Sequence, residues 1–314
     1  MKTDSYEHMS SAPQLASAAA LAPLVAGRTR VFCCHRATLS DRFPPNSLPA
    51  VAECVAAAVP RLEIDVRFLA DDGMVLLHDA RLEDHTTGSG PVASLETAAL
   101  RLLRFRRDES VPVAMLDEVV DTLRGSDTLL QVDLKLMRSI SPGRARSLLH
   151  SLAPIRDQVL IGSQAHWNLR PLFDAGYRVA LDPTLQWHYF PGRTGAFQPT
   201  RLGLHGLWDD APLAHIPGVP PQQYLAGRMQ DLLGLLPASE WMVDHTTIRH
   251  LHTLGLSLGD VLAAQGVELA AWTVKDEGRS RTGPLLDSLF GLGVTTVITD
   301  APAQLASHVT QAAA

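Results

Sequence analysis

Ionisable side chains interrupt two apolar segments of this chain. The segment RLEIDVRF, residues 61–68, carries Glu63 and Asp65 between apolar side chains, and the segment GMVLLHD, residues 73–79, ends in His78 and Asp79. Burial of an ionised group without a partner is strongly unfavourable. We therefore predict that a metal ion and a phosphate lie over these side chains and compensate for their burial.

The spacing of the carboxylates predicts a shared face. Residues i and i+2 of a β-strand project to the same side, so Glu63 and Asp65 point together. The segment LLQVDLKL, residues 129–136, repeats this spacing with Asp133 and Lys135. Three carboxylates on neighbouring strands suit a hard divalent cation, so we predict that Glu63, Asp65 and Asp133 hold one metal ion. Mg²⁺ and Ca²⁺ are the leading candidates, although such oxygen ligands also accept Mn²⁺.

Two cationic side chains and two histidines complete this set. Arg36 offers paired donors and Lys135 a point charge, and both suit a phosphate anion. His35 and His78 titrate near neutral pH and can exchange protons with reacting oxygens. Each feature alone is weak, since Glu-x-Asp commonly belongs to a solvated strand face or a buried ion pair. Their joint occurrence at successive strand ends is typical of phosphoryl transfer.

Segments with β-strand character alternate with helical patterns along the chain. We predict strands at 29–35, 61–68, 129–136, 158–164, 177–183, 241–245, 268–274 and 295–300. We predict helices at 47–58, 116–125, 142–153, 169–176, 256–266 and 284–293. Eight such units favour an α/β fold, a (β/α)8 TIM barrel, over a doubly wound open sheet. The strand ends that carry the ionisable residues would then meet at the barrel mouth, where active sites of this fold lie.

The domain organisation predicted from the sequence is simple. Residues 1–28 are expected to form a helical extension, and residues 29–314 a single barrel domain. Turn signals and a Gly-rich loop indicate a small insertion after the second strand, at about 69–112. The segment 185–224 is rich in Gly, Pro, His and aromatic residues and is expected to form a long irregular loop.

Composition narrows the classes of function and location. The chain has 314 residues, of which 46% are hydrophobic, and a net charge of −6, so a nucleic-acid partner is not expected. The three cysteines, Cys33, Cys34 and Cys54, favour a reducing compartment and are interpreted as small buried apolar residues rather than a catalytic thiol. The sequence contains no run of 18 apolar residues and so predicts no transmembrane segment. Acidic residues in the Ala-rich N-terminus disfavour an export signal, so we expect a cytoplasmic protein of unspecified oligomeric state.

The same motifs resemble those of a known family. From His35 to Pro91 the order is His-Arg, a strand with Glu-x-Asp, a short strand ending in His-Asp, and the loop HTTGSGPV. This order resembles the glycerophosphodiester phosphodiesterases of the PLC-like phosphodiesterase superfamily. Later segments are also similar: VDLK at 132–135, WTV at 272–274 and ITDAP at 298–302. The resemblance covers about residues 29–305 and is poor over 185–260.

The resemblance implies roles for the candidate residues. His35 and His78 would be the acid–base pair, and Glu63, Asp65 and Asp133 would hold the metal. Arg36 and Lys135 would contact the phosphate. Trp272 would line the alcohol pocket, although a tryptophan there could equally plug the barrel. Asp300 is interpreted as a cap of the turn before Pro302, and Asp182 as a structural residue at the end of the fifth strand.

Three positions depart from the family pattern. Ala37 stands where the family normally has Gly, and Pro45 stands where it usually has Glu. Asp133 replaces the commoner Glu and is one methylene shorter. These changes bear on how substrate and metal fit, but none removes a group that the chemistry needs.

The resulting functional hypothesis is an enzyme of lipid or glycerol metabolism. It would be a metal-dependent hydrolase that converts glycerophosphodiesters, as small-molecule substrates, to an alcohol and glycerol 3-phosphate. One alternative is a phospholipase D-like enzyme acting on sphingomyelin or lysophospholipids, since those enzymes also use Asp in the third metal position. Another is a barrel that binds a phosphodiester without catalysis.

Overall fold

The computed structural model describes residues 20–185, 206–207 and 218–310. The predicted extension over 1–19 and most of the predicted irregular loop, 186–205 and 208–217, lie outside these residues. Within 20–29 the chain forms a short antiparallel pair of strands, Leu24–Val25 and Arg28–Thr29, and no helix. Of the predicted loop, residues 221–224 instead form the first turn of a helix.

Eight parallel strands close into a barrel. They are β1 (Val31–Cys34), β2 (Arg61–Phe68), β3 (Leu129–Leu134), β4 (Val159–Ser163), β5 (Arg178–Leu181), β6 (Glu240–Asp244), β7 (Glu268–Trp272) and β8 (Thr296–Thr299). Each strand pairs with the next in the chain, and β8 pairs with β1 to close the ring. The predicted TIM barrel is confirmed, and the alternative prediction of a doubly wound open sheet is wrong.

Helices follow the strands on the outside of the barrel. Those the structure describes are Leu48–Ala56, Leu116–Leu123, Pro142–Leu152, His166–Asp174, Pro221–Leu233, His245–Thr253, Leu258–Ala263, Arg279–Gly291 and Pro302–Thr310. A further short helix, Thr97–Leu100, lies within the insertion after β2. All six predicted helices are present with shifted ends. Four helices were not predicted from the sequence: Thr97–Leu100, Pro221–Leu233, His245–Thr253 and Pro302–Thr310. His245, predicted as the last residue of a strand, instead begins a helix that the Asp244 side chain caps.

Strand alternation divides the side chains of β2 between two environments. Leu62, Ile64 and Val66 are fully buried in the apolar layer between barrel and helices. The intervening residues face the barrel interior, since successive side chains of a strand point to opposite faces. A smaller apolar cluster fills the middle of the barrel: Cys33, Leu160, Ala180, Met242, Ala270 and Ile298, with Trp272 packed against it. This plug separates the two ends of the barrel interior.

A buried ion pair occupies the end of the interior where the strands begin. The Arg61 guanidinium donates to both carboxylate oxygens of Glu240, at 2.8 and 2.6 Å, and also to Gln131 Oε1. Arg61 and Glu240 are 5% and 2% exposed, so the pair lies out of solvent. Each buried charge is neutralised by the other, so this pair has a structural role. The ionisable residues predicted to be catalytic lie at the opposite end of the barrel.

The predicted insertion after β2 is present. A strand, Met74–Leu76, pairs antiparallel with the end of β2, and a second hairpin joins Arg104–Phe105 to Asp108–Pro112. Three-residue 3₁₀ turns form at Leu82–Asp84 and Val92–Ser94. The segment has its own apolar cluster, which includes Leu69, Val75, Leu100 and Phe105. The insertion therefore has an apolar cluster of its own, while its first strand remains joined to the barrel sheet.

All three cysteines are free and fully buried, as predicted for small apolar residues. Among the described residues, no helix has the length and apolar character needed to cross a membrane.

Candidate active site

The carboxyl ends of β1, β2 and β3 bring the predicted ionisable residues together. Asp65 and Asp133 are directly paired in register on the adjacent strands β2 and β3, and Glu63 lies two residues earlier on β2. Oxygen atoms of these three carboxylates lie within 4.8 Å of one another. Glu63 and Asp65 are buried, and Asp133 is partly exposed toward the mouth. The cluster therefore has one open side.

This cluster fits a divalent metal ion. Asp65 Oδ1 is buried and accepts no hydrogen bond, although Lys135 Nζ lies 3.1 Å away. Burial, with the charge of Asp65 beside it, raises the pKa of Glu63 to about 7. Carboxylates that crowd in this way are stabilised in their ionised form by a cation. The donors are all oxygen, which suits Mg²⁺ or Ca²⁺.

Both predicted phosphate-binding cations lie at the cluster. Lys135 Nζ is 2.6 Å from Asp133 Oδ2, and Arg36 Nε is 3.3 Å from Asp65 Oδ2. Burial opposes the charge on Lys135, but Asp133 and Asp65 outweigh it and raise the lysine pKa. Burial likewise opposes ionisation of Asp65, yet Lys135, His78 and Arg36 hold its pKa at about 2. The site therefore contains ionised carboxylates next to the cationic Lys135 and Arg36, and these two cations can also bind an anion.

Asn46 holds the central carboxylate in place, and the sequence analysis did not assign it a role. Its Nδ2 donates to Asp65 Oδ2 at 2.8 Å, and its Oδ1 accepts from the Asp65 backbone N–H at 3.0 Å. Asn46 has a φ of 59°, in the left-handed region that Asn tolerates better than most residues. Its position in the segment PPNS, immediately before the predicted helix at 47–58, was the available signal.

A strained turn after β1 carries His35 and Arg36. The 3₁₀ turn His35–Ala37 has φ values of 53° at Arg36 and 56° at Ala37. This conformation aims the Arg36 backbone N–H at Glu63 Oε2, 2.8 Å away. A left-handed φ is easiest for glycine, which gives a physical reason for the family's Gly where this chain has Ala37.

His35 is paired with an aspartate from the last strand end. Its Nδ1 is 2.7 Å from Asp300 Oδ1, and its Nε2 is 3.9 Å from Glu63 Oε2. Burial opposes the imidazolium, but the Asp300 hydrogen bond and the Glu63 charge outweigh it and raise the His35 pKa. Asp300, interpreted from the sequence as a turn cap, therefore also orients a ring at the site.

His78 is paired with the residue that follows it. Its Nδ1 lies 3.0 Å from Asp79 Oδ1, and the other oxygen of Asp79 lies 2.6 Å from His85 Nε2. Burial lowers the pKa of His78, although Asp65 and Asp79 partly oppose this. Arg67 donates to the His78 carbonyl at 2.9 and 2.5 Å and so fixes the loop. His85 and Arg67 were not predicted from the sequence.

Two further residues lie near the mouth. Trp272 is partly buried at the end of β7 and packs on the apolar plug. It therefore helps to close the barrel interior and forms part of the floor of the mouth. Asp182 follows β5, and its Oδ1 accepts from the Thr184 backbone N–H at 2.8 Å. Burial, with the charge of Asp133, raises the pKa of Asp182 to about 7.

Comparisons with known proteins agree with the motifs. Residues 35–172 match the model of the Glycerophosphoryl diester phosphodiesterase family, which confirms the resemblance over that segment. A probable glycerophosphodiester phosphodiesterase 2 of Mycobacterium tuberculosis is 31% identical over 113 residues, 36% of this chain and 41% of the relative. A glycerophosphodiester phosphodiesterase of Caldanaerobacter subterraneus is 24% identical over 42% of this chain and 57% of the relative. The matches thus span less than two thirds of these relatives.

Solved structures share the fold over nearly the whole chain. A putative glycerophosphoryl diester phosphodiesterase of Agrobacterium tumefaciens superimposes with a TM-score of 0.65 at 17% identity, covering 92% of this chain and all of that one. A phosphodiesterase of Oleispira antarctica, in complex with the product sn-glycerol-3-phosphate, gives a TM-score of 0.60 at 16% identity, covering 89% and 96% of the two chains. At these identities the likeness establishes the barrel fold.

Proposed function

We propose that this chain, whose residues 35–172 match the Glycerophosphoryl diester phosphodiesterase family, is a metal-dependent enzyme that hydrolyses glycerophosphodiesters to an alcohol and glycerol 3-phosphate. The observation that carries the proposal is the convergence of three carboxylates, two cations and two carboxylate-paired imidazoles at one end of the barrel. A location in a reducing compartment, the cytoplasm, is part of the proposal and agrees with three free cysteines.

Glu63, Asp65 and Asp133 would hold one divalent ion, Mg²⁺ or Ca²⁺. Such an ion supplies charge stabilisation for the phosphodiester oxygens in the transition state. Arg36 and Lys135 bind the same phosphate by hydrogen bonds and charge, and they add to this stabilisation. Trp272 offers an apolar surface to an alcohol portion of the substrate.

His35 and His78 carry the proton transfers. One imidazole removes the proton from the attacking hydroxyl, and the other protonates the oxygen of the leaving alcohol as its bond to phosphorus breaks. Attack by water gives glycerol 3-phosphate directly, whereas attack by the substrate's own glycerol hydroxyl gives a cyclic phosphate that water must then open to glycerol 3-phosphate. Asp300 and Asp79 each accept from the Nδ1 side of one ring. This pairing leaves Nε2 of each ring available for the reacting oxygens.

The test is an assay of a panel of glycerophosphodiesters, with and without chelator, on the wild-type protein and on His35→Ala and His78→Ala. We expect chelator to abolish release of glycerol 3-phosphate, and each alanine variant to lose about 10²- to 10⁴-fold in kcat. Turnover that is indifferent to chelator and to the loss of His78 would refute the mechanism.

Adding lysophosphatidylcholine to the panel separates the phospholipase D-like alternative. The proposal predicts that glycerophosphocholine is turned over faster. A preference for the lysophospholipid would favour the alternative, and tight binding without turnover would favour a non-catalytic barrel.

A further inference from the structure

A cavity beside His78 extends the candidate active site toward the insertion. Its volume is about 280 Å³, and Arg36 and His78 contribute to its lining. Ligand pockets usually measure about 300–1,000 Å³, so this cavity suits one part of a small substrate. Because two of its walls are residues proposed to act on the phosphodiester, the cavity is a place for a group attached to that phosphorus.

The lining of this cavity is rich in cations. Three arginines line it, Arg36, Arg106 and Arg107, with the imidazoles of His78 and His85 beside them, and Asp84 is the carboxylate among the lining residues. Leu77 and Phe105 give it an apolar wall. Three arginines against one carboxylate produce a positive potential, which favours an anionic ligand with some carbon framework.

The cations differ in how they are already paired. Arg36 lies 3.3 Å from Asp65, and Arg107 lies 4.0 Å from the fully exposed Asp41. Arg106 has no carboxylate within 4.0 Å among the residues that the structure describes. Its Nε donates to the Thr86 carbonyl at 2.6 Å, which anchors the side chain and leaves its terminal nitrogens for a ligand.

Hydrogen bonds also link Arg106 to the loop that carries His78 and His85. Its backbone N–H donates to the His85 carbonyl at 2.9 Å, and His85 Nε2 lies 2.6 Å from the carboxylate that also contacts His78. The position of Arg106 relative to His78 is therefore fixed by short contacts. A rigid cation at a fixed distance from the reacting group is what discrimination between head groups requires.

We propose that this cavity binds an anionic head group, one that bears its own phosphate, and that Arg106 is the main residue selecting it. The proposal rests on the proposed phosphodiesterase function and names its substrate class. Glycerol is uncharged and needs no such lining, so the head group is the portion of the substrate assigned to the cavity.

The test compares two substrates that differ only in the anion, glycerophosphoinositol 4-phosphate and glycerophosphoinositol. We expect wild-type kcat/KM to be higher for the phosphorylated substrate. Arg106→Gln should lower the ratio of the two values about tenfold, because it removes a charge-assisted hydrogen bond. Pro45→Glu, which adds a carboxylate to the cavity wall, should lower the same ratio. Arg101→Gln, an exposed arginine of the insertion outside the cavity lining, is the matched control and should keep it.

A binding measurement tests the affinity of the cavity for an anion independently of turnover. Titration calorimetry with inositol 4-phosphate should give a Kd about tenfold weaker for Arg106→Gln than for wild type and for Arg101→Gln. Equal Kd values in all three proteins, or a wild-type substrate ratio near one, would overturn the cavity proposal alone. Absence of turnover of both substrates, with the Kd difference present, would instead overturn the phosphodiesterase function and retain the anion site.

Discussion

Single side chains at the barrel mouth act through partners that a sequence pattern does not display. Glu63, Asp65 and Asp133 were predictable, because the alternation of β2 and β3 fixes which side chains share a face. Asn46 and Asp300 were not, since their contacts join separate segments of the chain, 19 residues apart for Asn46 and Asp65 and 265 residues apart for Asp300 and His35.

Asp300→Asn tests whether this aspartate positions His35. The asparagine oxygen can still accept from His35 Nδ1, but the negative charge that stabilises the imidazolium and raises the His35 pKa is lost, so the limb of the kcat–pH profile that reports His35 should move to lower pH. We expect kcat to fall about tenfold with little change in KM. The matched control is Asp276→Asn, which removes the same charge from a 3.0 Å contact to His308, a histidine outside the proposed catalytic pair. An unshifted profile would contradict the role.

Asn46 allows backbone and side-chain effects to be separated. Asn46→Ala and Asn46→Gly both remove the two hydrogen bonds to Asp65, so each should weaken metal affinity about 10- to 100-fold. Only the alanine pays for the left-handed φ, so it should be less stable than the glycine variant by about 1 kcal/mol. Metal titration and urea unfolding measure the two effects. Equal metal affinity in both variants and wild type would remove Asn46 from the site.

Asp182 gives a pH dependence of stability whose sign follows from its raised pKa. The folded-state value is about 7 against an ordinary 3.8, so the protein is favoured with this carboxyl protonated. Its contribution is complete below about pH 4 and is lost as pH rises through 7, by at most about 4 kcal/mol.

Asp182→Asn should therefore be more stable than wild type at pH 8 and similar at pH 4, when both are unfolded in urea with chelator present. Asp174→Asn, at an exposed position, is the control and should show no such difference. A gap between Asp182→Asn and wild type that stays constant from pH 4 to 8 would show that this carboxyl does not titrate as described.

Among the elements, β2 combines structure and chemistry on one face. Its inward residues are Arg61 at the start, Glu63 and Asp65 toward the mouth, and Arg67 near the end. The strands were predicted closely because β-branched and apolar runs mark them. The in-register pairing of Asp65 with Asp133 on β2 and β3 was not predicted and comes from the structure. Helix Pro221–Leu233 was missed because it follows a segment rich in Pro and Gly, where the pattern indicates a loop.

The ion pair at the start of β2 predicts a large effect of single substitution. Arg61→Met leaves Glu240 buried without its partner and should lower the free energy of unfolding by about 3–5 kcal/mol. The double variant Arg61→Met/Glu240→Leu should recover most of this loss, since both charges are removed. Arg81→Met, at an exposed 2.6 Å pair with Glu83, should cost less than about 1 kcal/mol. Urea unfolding of wild type and the three variants measures these differences in the free energy of unfolding. A double variant as unstable as Arg61→Met would contradict the explanation that the unpaired buried charge causes the loss.

At the scale of the whole molecule, the barrel separates stability from chemistry. The Arg61–Glu240 pair and the apolar plug fill one end and the middle of the interior, while the insertion after β2 packs beside the other end. Fold class was predictable because eight similar units repeat along the chain. The cavity between insertion and mouth was not, because its lining comes from three separate segments whose relative placement depends on tertiary packing.

The proposed metal requirement is tested most directly by measuring turnover and metal binding on the same protein. Chelator-treated protein should release no glycerol 3-phosphate from glycerophosphodiesters, and activity should return as Mg²⁺, Ca²⁺ or Mn²⁺ is added, saturating at one bound ion per chain. The variant Glu63→Gln/Asp133→Asn should neither bind that ion nor recover activity. Full turnover in chelator, or unchanged ion binding by the double variant, would contradict the central claim that these carboxylates hold the metal on which hydrolysis depends.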